Sequence, residues 1–282
     1  MEKITIMTDS TSDLDITYVE SQQIRILPLY VTIGDRTYKD RIELNGAGVF
    51  EQVERTGSMP KTSAVPPADY MQAFEEEVSK GNQVIYIGLS SKLSSSFQNA
   101  YLAAQEFPEG SVEVVDSKNL STGIGILVTE AVRMREKGES AATIAEKLIQ
   151  LTEKVHVEFV IETLEYLHKG GRLSGLQKFL GSMLKIHPLI QVADGQMFMA
   201  DKLRGSRKKT MQSLLDRAVA DKEHISDAAI FVTHAVMKEE AEWLREQLSS
   251  QGLTNPIYIT EAGSVISSHC GPHTIGIIYL KK

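Results

Sequence analysis

Short apolar runs alternate with longer segments of helical periodicity through the first half of the chain. Residues 4–7 and 84–87 have the pattern of buried strands, and residues 67–79 and 121–137 carry the spacing of amphipathic helices. Strands joined by helices of this length form right-handed crossovers, which make neighbouring strands of one sheet parallel. We therefore predict an N-terminal three-layer α/β domain with a parallel sheet, spanning residues 1–155.

The second half also alternates strands with helices, including a predicted helix over 174–184, but it contains a hairpin signal. Ala193-Asp194-Gly195 lies between two strand-like runs and has the composition of a tight turn. A hairpin makes its two strands antiparallel, so this sheet is expected to be mixed. The prediction is a second α/β domain over residues 156–282, with no Pro/Gly/Ser-rich linker before it.

Charge and cysteine content narrow the function classes. The net charge of −7 argues against a nucleic-acid partner, because phosphate binding needs a concentrated basic face. The single cysteine, Cys270, excludes an intramolecular disulfide and fits a reducing compartment. The N-terminus has no signal-peptide pattern, and no apolar run is long enough to span a membrane. We expect a cytoplasmic protein.

A serine-rich loop follows the strand at 84–87. Five of the seven residues from Ser90 to Ser96 are serine, and a helix is predicted to start there. Ligands of parallel sheets bind beyond the carboxyl ends of the strands, where free N–H groups of helix N-termini favour anions. Helix capping accounts for one or two serines and not for five. Ser94, Ser95 and Ser96 are therefore candidate ligands of a carboxylate or phosphate.

Two more hydroxyl clusters are expected at the same edge of the sheet. Thr62 and Ser63 precede the helix that starts at Pro67 by too many residues to cap it, which leaves them free for a ligand. Ser10 follows the first strand, and it is equally well explained as a cap of a helix predicted from Asp13 onward. Asp116-Ser117 follows another strand and is read as structural.

Two histidines, His269 and His273, flank a Gly-Pro pair near the C-terminus. Gly-Pro precludes a regular helix containing both, and no nearby carboxylate or further cysteine completes a metal site. A histidine in such a turn is suited to hydrogen-bond an anion instead. Arg172, after Gly170-Gly171, is either a carboxylate or phosphate ligand or one half of an interdomain ion pair.

The chain lacks the glycine-rich P-loop, the dinucleotide fingerprint and the nucleophile elbow of the α/β hydrolases. By those routes it has no means of binding ATP, NAD or an ester. No cofactor and no metal is expected.

Six motifs, in this order and at this spacing, resemble the DegV family of fatty-acid-binding proteins. The resemblance extends from residue 4 to residue 280. The motifs are Met7–Leu14, Lys61–Ser63 followed by proline, Ile87–Ser94, Val115–Ser117, Lys169–Leu173 and His269–Pro272.

The resemblance implies a long-chain fatty acid bound between two α/β domains. Its carboxylate would be held by Thr62, by Ser94 or Ser95 and by His269, with Arg172 at the position of the family's arginine. The family reads His-x-Gly-Pro-Gly at the last motif, so the side chain of His273 is expected to narrow the site or shift His269.

The resemblance also implies a role. Such a protein is the non-catalytic binding subunit of a bacterial fatty acid kinase. It presents the acid to a separate ATP-binding subunit that makes acyl phosphate for phospholipid synthesis, and it contacts membranes at most transiently. The basic cluster Lys202–Lys209, with five basic residues in eight, is a candidate docking face for that kinase.

Two alternatives stay open at this point. One is a serine hydrolase acting on an acyl ester through Ser95 and His269, with Asp9 or Asp116 orienting the histidine. The other is a sugar or triose binder in which His269 contacts a carbonyl, and this would require a polar pocket.

Overall fold

A computed structural model describes residues 3–172, 176 and 186–282. Within those residues the strands are β1 (Ile4–Asp9), β2 (Arg25–Leu27), β3 (Tyr30–Ile33), β4 (Arg36–Lys39), β5 (Lys61–Ser63), β6 (Gln83–Gly88), β7 (Val112–Asp116), β8 (Val155–Val160), β9 (Ile186–Ala193), β10 (Gln196–Arg204), β11 (Ile230–Ala235), β12 (Ile257–Glu261) and β13 (Thr274–Leu280). The α-helices are α1 (Ile16–Ser21), α2 (Gly46–Thr56), α3 (Pro67–Val78), α4 (Ser96–Ala104), α5 (Thr122–Glu136), α6 (Ala141–Leu151), α7 (Glu165–Lys169), α8 (Arg207–Ala220), α9 (Lys238–Ser250) and α10 (Ser264–Cys270). The helix predicted over 174–184 lies outside the described residues.

The first sheet is parallel, as predicted. Its strand order is β2-β1-β6-β7, and every pair in it is parallel. Helices α3 and α4 pack together, α5 and α6 pack together, and members of both pairs contact β6. The carboxyl ends of β1, β6 and β7 therefore meet at one edge, where their polar loops begin.

The second sheet is mixed, also as predicted, with the order β10-β9-β8-β13-β11-β12. Only β11 and β12 pair in parallel, and the Asp194-Gly195 turn joins the antiparallel strands β9 and β10. Helices α8 and α9 pack on one face of this sheet. Helix α5 contacts β8, β11 and β13 as well as β1 and β6, so it is shared between the two large sheets.

A third, small sheet is antiparallel, with the order β4-β3-β5; its β3–β4 hairpin turns at Gly34-Asp35 as the sequence predicts, whereas the addition of β5 was not predicted. The apolar run Ile24–Ile33 looks like one strand in the sequence, but it forms β2 and β3, which belong to different sheets. Pro28 lies between them, and proline has a fixed φ and no N–H to give to a ladder. Strand β5 pairs with β3, and Val31 is opposite Thr62.

Two local predictions were wrong. Helix α1 begins at Ile16 with Asp15 as its N-cap, whereas Ser10–Ser12 form a short 3-10 turn capped by the carboxylate of Asp9. Asp9, the last residue of β1, thus acts as the cap, a role that was predicted for Ser10. His269 lies in α10 rather than in a turn, because the helix ends at Gly271 (φ 77°), before Pro272.

Candidate functional site

A cavity lies between the two large sheets and is largely apolar. It contains about 880 Å³ of empty space, part of which is open to solvent. Its walls come from β5, α10, strands β8, β11 and β13, and the loops that precede α4 and α5. The apolar side chains that line it are Leu29, Ala64, Leu89, Leu93, Leu120, Val157, Phe159, Leu167, Met197, Ala235, Ala262, Val265, Ile266 and Ile278.

Helix α10 forms one wall along its length. Its residues Val265, Ile266, His269 and Cys270 line the cavity, and this is the spacing of one helix face. The helix therefore presents apolar side chains along most of that wall and the imidazole of His269 in its last turn. The wall changes from apolar to polar over roughly two helical turns.

The polar end of the cavity joins distant parts of the chain. Oγ1 of Thr62 lies 2.9 Å from Nε2 of His269, and Ser63, Ser94 and Arg172 line the same cavity. Nδ1 of His269 is buried and has no hydrogen-bond partner among the described residues. The structure thus brings five residues singled out in the sequence to one cavity.

His269 is neutral at physiological pH. Burial, with a smaller contribution from the nearby Arg172 cation, lowers the pKa of its imidazole to about 4. A neutral imidazole has one N–H donor and one acceptor nitrogen, and the bond to Thr62 does not fix which nitrogen carries the proton. The ring can therefore donate to an anion without adding a charge of its own.

Arg172 connects the turn after α7 to the serine loop. Its Nε donates to the carbonyl of Leu93 at 3.1 Å, and its Nη1 donates to the carbonyl of Gly170 at 2.9 Å. Two of its N–H groups are thus committed to the backbone. Arg172 supplies positive potential to the polar end rather than a free bidentate fork.

Gly170 allows His269 to occupy its position. A Cβ atom added at Gly170 would lie 2.2 Å from Nδ1 and 2.7 Å from Cε1 of the imidazole. Only a residue without a side chain permits this approach, which explains a glycine whose φ of −76° is ordinary for any residue.

The serines of the loop divide into different roles. Ser94 lines the cavity, and its Oγ accepts the backbone N–H of Ser96 at 3.2 Å, so it also serves the start of α4. Ser95 is exposed, Ser96 is fully buried, and neither lines the cavity. Ser90 donates to the carbonyl of Gly195 at 2.9 Å and thereby joins the loop to the β9–β10 hairpin.

Ser10 and His273 lie away from the cavity. Ser10 is buried and accepts the backbone N–H of Leu29 at 3.1 Å. His273 is exposed and borders a smaller pocket with Glu162 and Arg207, on the face of the second sheet that α8 and α9 cover. Its φ of 60° is a value that glycine adopts more easily. The side chain of His273 therefore does not narrow the cavity.

No acid orients His269 in the described part of the chain. Asp9 accepts from Thr11, Tyr86 and the N–H of Leu89. Asp116 accepts from the backbone of the loop that follows β7. With Nδ1 unpartnered and Ser95 outside the cavity, the arrangement required for a serine hydrolase is absent from the described residues.

Several polar residues of the site were missed in the sequence. Ser121, Thr233 and Thr274 line the cavity, and the carboxylates of Asp13 and Asp40 are buried nearby. Thr233 interrupts the apolar strand β11 and Thr274 is the first residue of the apolar strand β13, and these polar positions are the one signal that points to them. Nothing in the sequence indicates the burial of the two aspartates.

The fold and the cavity define an α/β protein with a mostly apolar cavity, partly open to solvent, at which Thr62 and His269 meet. The model of the DegV family, described as uncharacterised proteins, matches residues 3–282, and the chain belongs to this family. A DegV domain-containing protein of Clostridium acetobutylicum is 32% identical over 282 residues, which cover 100% of both chains.

Solved structures agree with this assignment. A DegV family protein of Thermus thermophilus, described as fatty-acid-binding, is 34% identical with a TM-score of 0.92, covering 99% of this chain and 100% of that one. DegV of Bacillus subtilis, described as a fatty acid binding protein, is 29% identical with a TM-score of 0.88, and both chains are covered completely. No described helix combines the length and apolar composition needed to cross a bilayer.

Proposed function

We propose that this protein binds a long-chain fatty acid in the cavity and presents its carboxylate to a separate ATP-dependent kinase subunit. The observation that carries the proposal is a mostly apolar cavity at which two neutral donors, Thr62 and His269, meet. The fatty-acid-binding relatives support the choice of ligand.

The polar end suits a carboxylate. Burying an ionised carboxylate costs several kcal/mol unless it is hydrogen-bonded, and each bond to a charged acceptor returns about 1.5–3 kcal/mol. The hydroxyls of Thr62, Ser63 and Ser94 and the neutral imidazole of His269 supply such bonds. Neutral donors leave a carboxylate oxygen nucleophilic, as attack on a γ-phosphate requires.

The apolar wall supplies affinity. At about 0.8 kcal/mol for each buried methylene, a tail of roughly fourteen methylenes contributes on the order of 11 kcal/mol before ordering costs. This favours a lipid over a sugar or a triose, whose hydroxyls would be left unpaired against side chains such as Phe159 and Ile278.

The kinase role requires a partner, because the sequence has no nucleotide-binding motif. The cluster Lys202–Lys209 spans the end of β10 and the start of α8, and its charged residues are exposed. We propose that this basic face binds an acidic surface of the kinase subunit. Replacing Lys208 and Lys209 by Glu is expected to slow acyl-phosphate formation with the partner and ATP, while leaving fatty-acid affinity unchanged.

Mass spectrometry of the purified protein tests the ligand. Under native conditions we expect a mass increment of one fatty acid per chain, and solvent extraction should release that acid for identification. A protein that is empty and also fails to bind added palmitate or oleate would overturn the proposal. Turnover of an activated ester that is lost in Ser95→Ala would favour a hydrolase instead.

A further inference from the structure

Helix α10 carries His269, yet its seven residues are too few to form a stable helix alone. Its place in the fold must come from contacts with the rest of the chain. The contacts at its N-terminal end come from two buried carboxylates of the first half of the chain.

Asp40 caps α10 from outside the helix. Its Oδ1 accepts the backbone N–H of Ser264 at 2.7 Å, the hydroxyl of Ser264 at 2.7 Å and the N–H of Val265 at 3.3 Å. A carboxylate at this position satisfies free N–H groups and complements the positive end of the helix dipole. The cap is supplied across 224 residues of sequence.

Asp13 holds the residue before the helix. Its Oδ1 accepts the N–H of Gly263 at 2.8 Å, and its Oδ2 accepts the hydroxyl of Ser121, a cavity-lining residue, at 2.6 Å. The guanidinium of Arg41 lies next to both carboxylates and donates to the carbonyl of Leu14 at 2.7 Å. The cluster therefore combines two buried acids with one half-buried base.

The backbone approaches this cluster closely. A Cβ atom added at Gly263 would lie 2.9 Å from Oδ1 of Asp40 and 2.8 Å from Cγ of Arg41. On the other side, a Cβ at Gly46 would lie 2.4 Å from the carbonyl oxygen of Ala262. The start of α10 thus has little freedom to shift or tilt.

We propose that Asp13 and Asp40 are positioning residues of the polar end: they fix the N-terminus of α10 and thereby place His269 against Thr62. The inference rests on the proposed function and adds a determinant of carboxylate recognition that touches no ligand. The first half of the chain holds α10 at both ends, through the two aspartates at its start and through Thr62 at its last turn.

The test compares two ligands of equal chain length, a fatty acid and the corresponding fatty alcohol. Asp40→Ala should lower the affinity for the acid about tenfold and that for the alcohol by about twofold or less, because hydrogen bonds to a charged group are the stronger ones. Asp40→Asn keeps an acceptor at Oδ1 and should restore most of the acid affinity, since asparagine caps helices about as well as aspartate. Equal losses for both ligands in Asp40→Ala would show that Asp40 is only structural.

Two further variants protect the test against misfolding. Ser264→Ala removes only the hydroxyl from the Asp40 contact and should show a weaker form of the same selective loss. Asp9→Asn alters another buried carboxylate, whose hydrogen bonds in the described structure come from Thr11, Tyr86 and Leu89 and not from α10, and should not discriminate between acid and alcohol. Thermal unfolding confirms that each variant is folded.

A ligand-free measurement separates this inference from the proposed function. In the wild type, the ¹⁵N signals of the His269 imidazole should report one fixed environment, and Asp40→Ala should shift or broaden them. A wild-type protein that binds neither ligand would overturn the proposed function, and the imidazole signals alone would then decide the positioning role. Unchanged imidazole signals in Asp40→Ala would overturn that role.

Discussion

Oγ1 of Thr62 lies 2.9 Å from Nε2 of His269, although 207 residues separate them. The first residue is in the short strand β5, and the second is in the last turn of α10. Their contact closes the polar end of the cavity and orients a ring whose other nitrogen is buried without a partner in the described structure. The predictions below follow from this contact and from the cavity beside it.

Removing the Thr62 hydroxyl should weaken fatty-acid binding without unfolding the protein. Thr62→Val keeps the shape of the side chain and removes its hydrogen bond, so we expect about a tenfold loss in affinity by calorimetry, equivalent to roughly 1.4 kcal/mol. His273→Gln is the control, because His273 borders a different pocket. Wild-type affinity in Thr62→Val would contradict the assignment of Thr62 to the head group.

The low pKa of His269 predicts a defined dependence of stability on pH. In the unfolded chain the imidazole takes up a proton near its ordinary value of 6.5, whereas burial holds the pKa in the folded protein at about 4. The unfolded state therefore binds more protons between these values, and the contribution of His269 to the free energy of unfolding falls as pH falls from about 6.5 to about 4. Urea unfolding of the wild type minus that of His269→Gln should show this slope in that window, and a flat difference would contradict it.

Gly170→Ala should displace His269. The new Cβ would lie 2.2 Å from Nδ1, so the ring or the turn after α7 must move, and fatty-acid affinity should fall at least as far as in Thr62→Val. Gly171→Ala is the matched control. Its Cβ would meet no atom of the described residues within 4 Å, so the substitution costs only the strain of placing alanine at a φ of 71°. We expect Gly171→Ala to lower the free energy of unfolding by about 1 kcal/mol and to leave the fatty-acid affinity unchanged.

Enlarging a residue of the apolar wall should shorten the preferred ligand. Ala235 is buried on β11 and lines the cavity, so Ala235→Leu fills space that methylenes of the tail would occupy. Each methylene excluded costs about 0.8 kcal/mol, and mass spectrometry of extracted ligand should show a shift toward shorter acids.

The same substitution on the other side of the second sheet is the control for this shift. Ala218 is buried in α8, on the face away from the cavity. Ala218→Leu should lower stability by overpacking and leave the ligand distribution unchanged. An unaltered distribution in Ala235→Leu would show that the tail does not reach β11.

The architecture of the two large sheets could be predicted because their strands are long enough to show a pattern. The apolar run at β6 and the Asp194-Gly195 turn indicate parallel and antiparallel pairing by local chemistry alone. Strand β5 has three residues, too few for any periodicity, so its place in the small sheet was missed. Helix α10 is rich in serine and is stabilised by carboxylates that are distant in sequence. Helix propensity is a property of the local sequence and contains no information about such contacts.

The candidate site was predictable in its residue types and not in its geometry. Thr62 stood out as a hydroxyl too far from the next helix to cap it and His269 as an imidazole near a Gly-Pro pair, and both line the cavity. Ser95 and Ser96 stood out because they belong to a serine-rich loop after a strand, but the chain turns into α4 at that point and directs them elsewhere. The burial of Asp13 and Asp40 depends on packing between distant segments, which no local pattern records.

The way α10 is held by the first half of the chain bears on how this gene could be rearranged. The codons for α10 lie far downstream of those for its capping carboxylates and for the hydroxyl that meets His269. A chimaera joined near residue 155 would combine α10 from one parent with Asp13, Asp40 and Thr62 from another. We expect such hybrids of divergent relatives to fold more often than they bind, because recombination would have to transfer both distant segments together to keep the cavity residues matched.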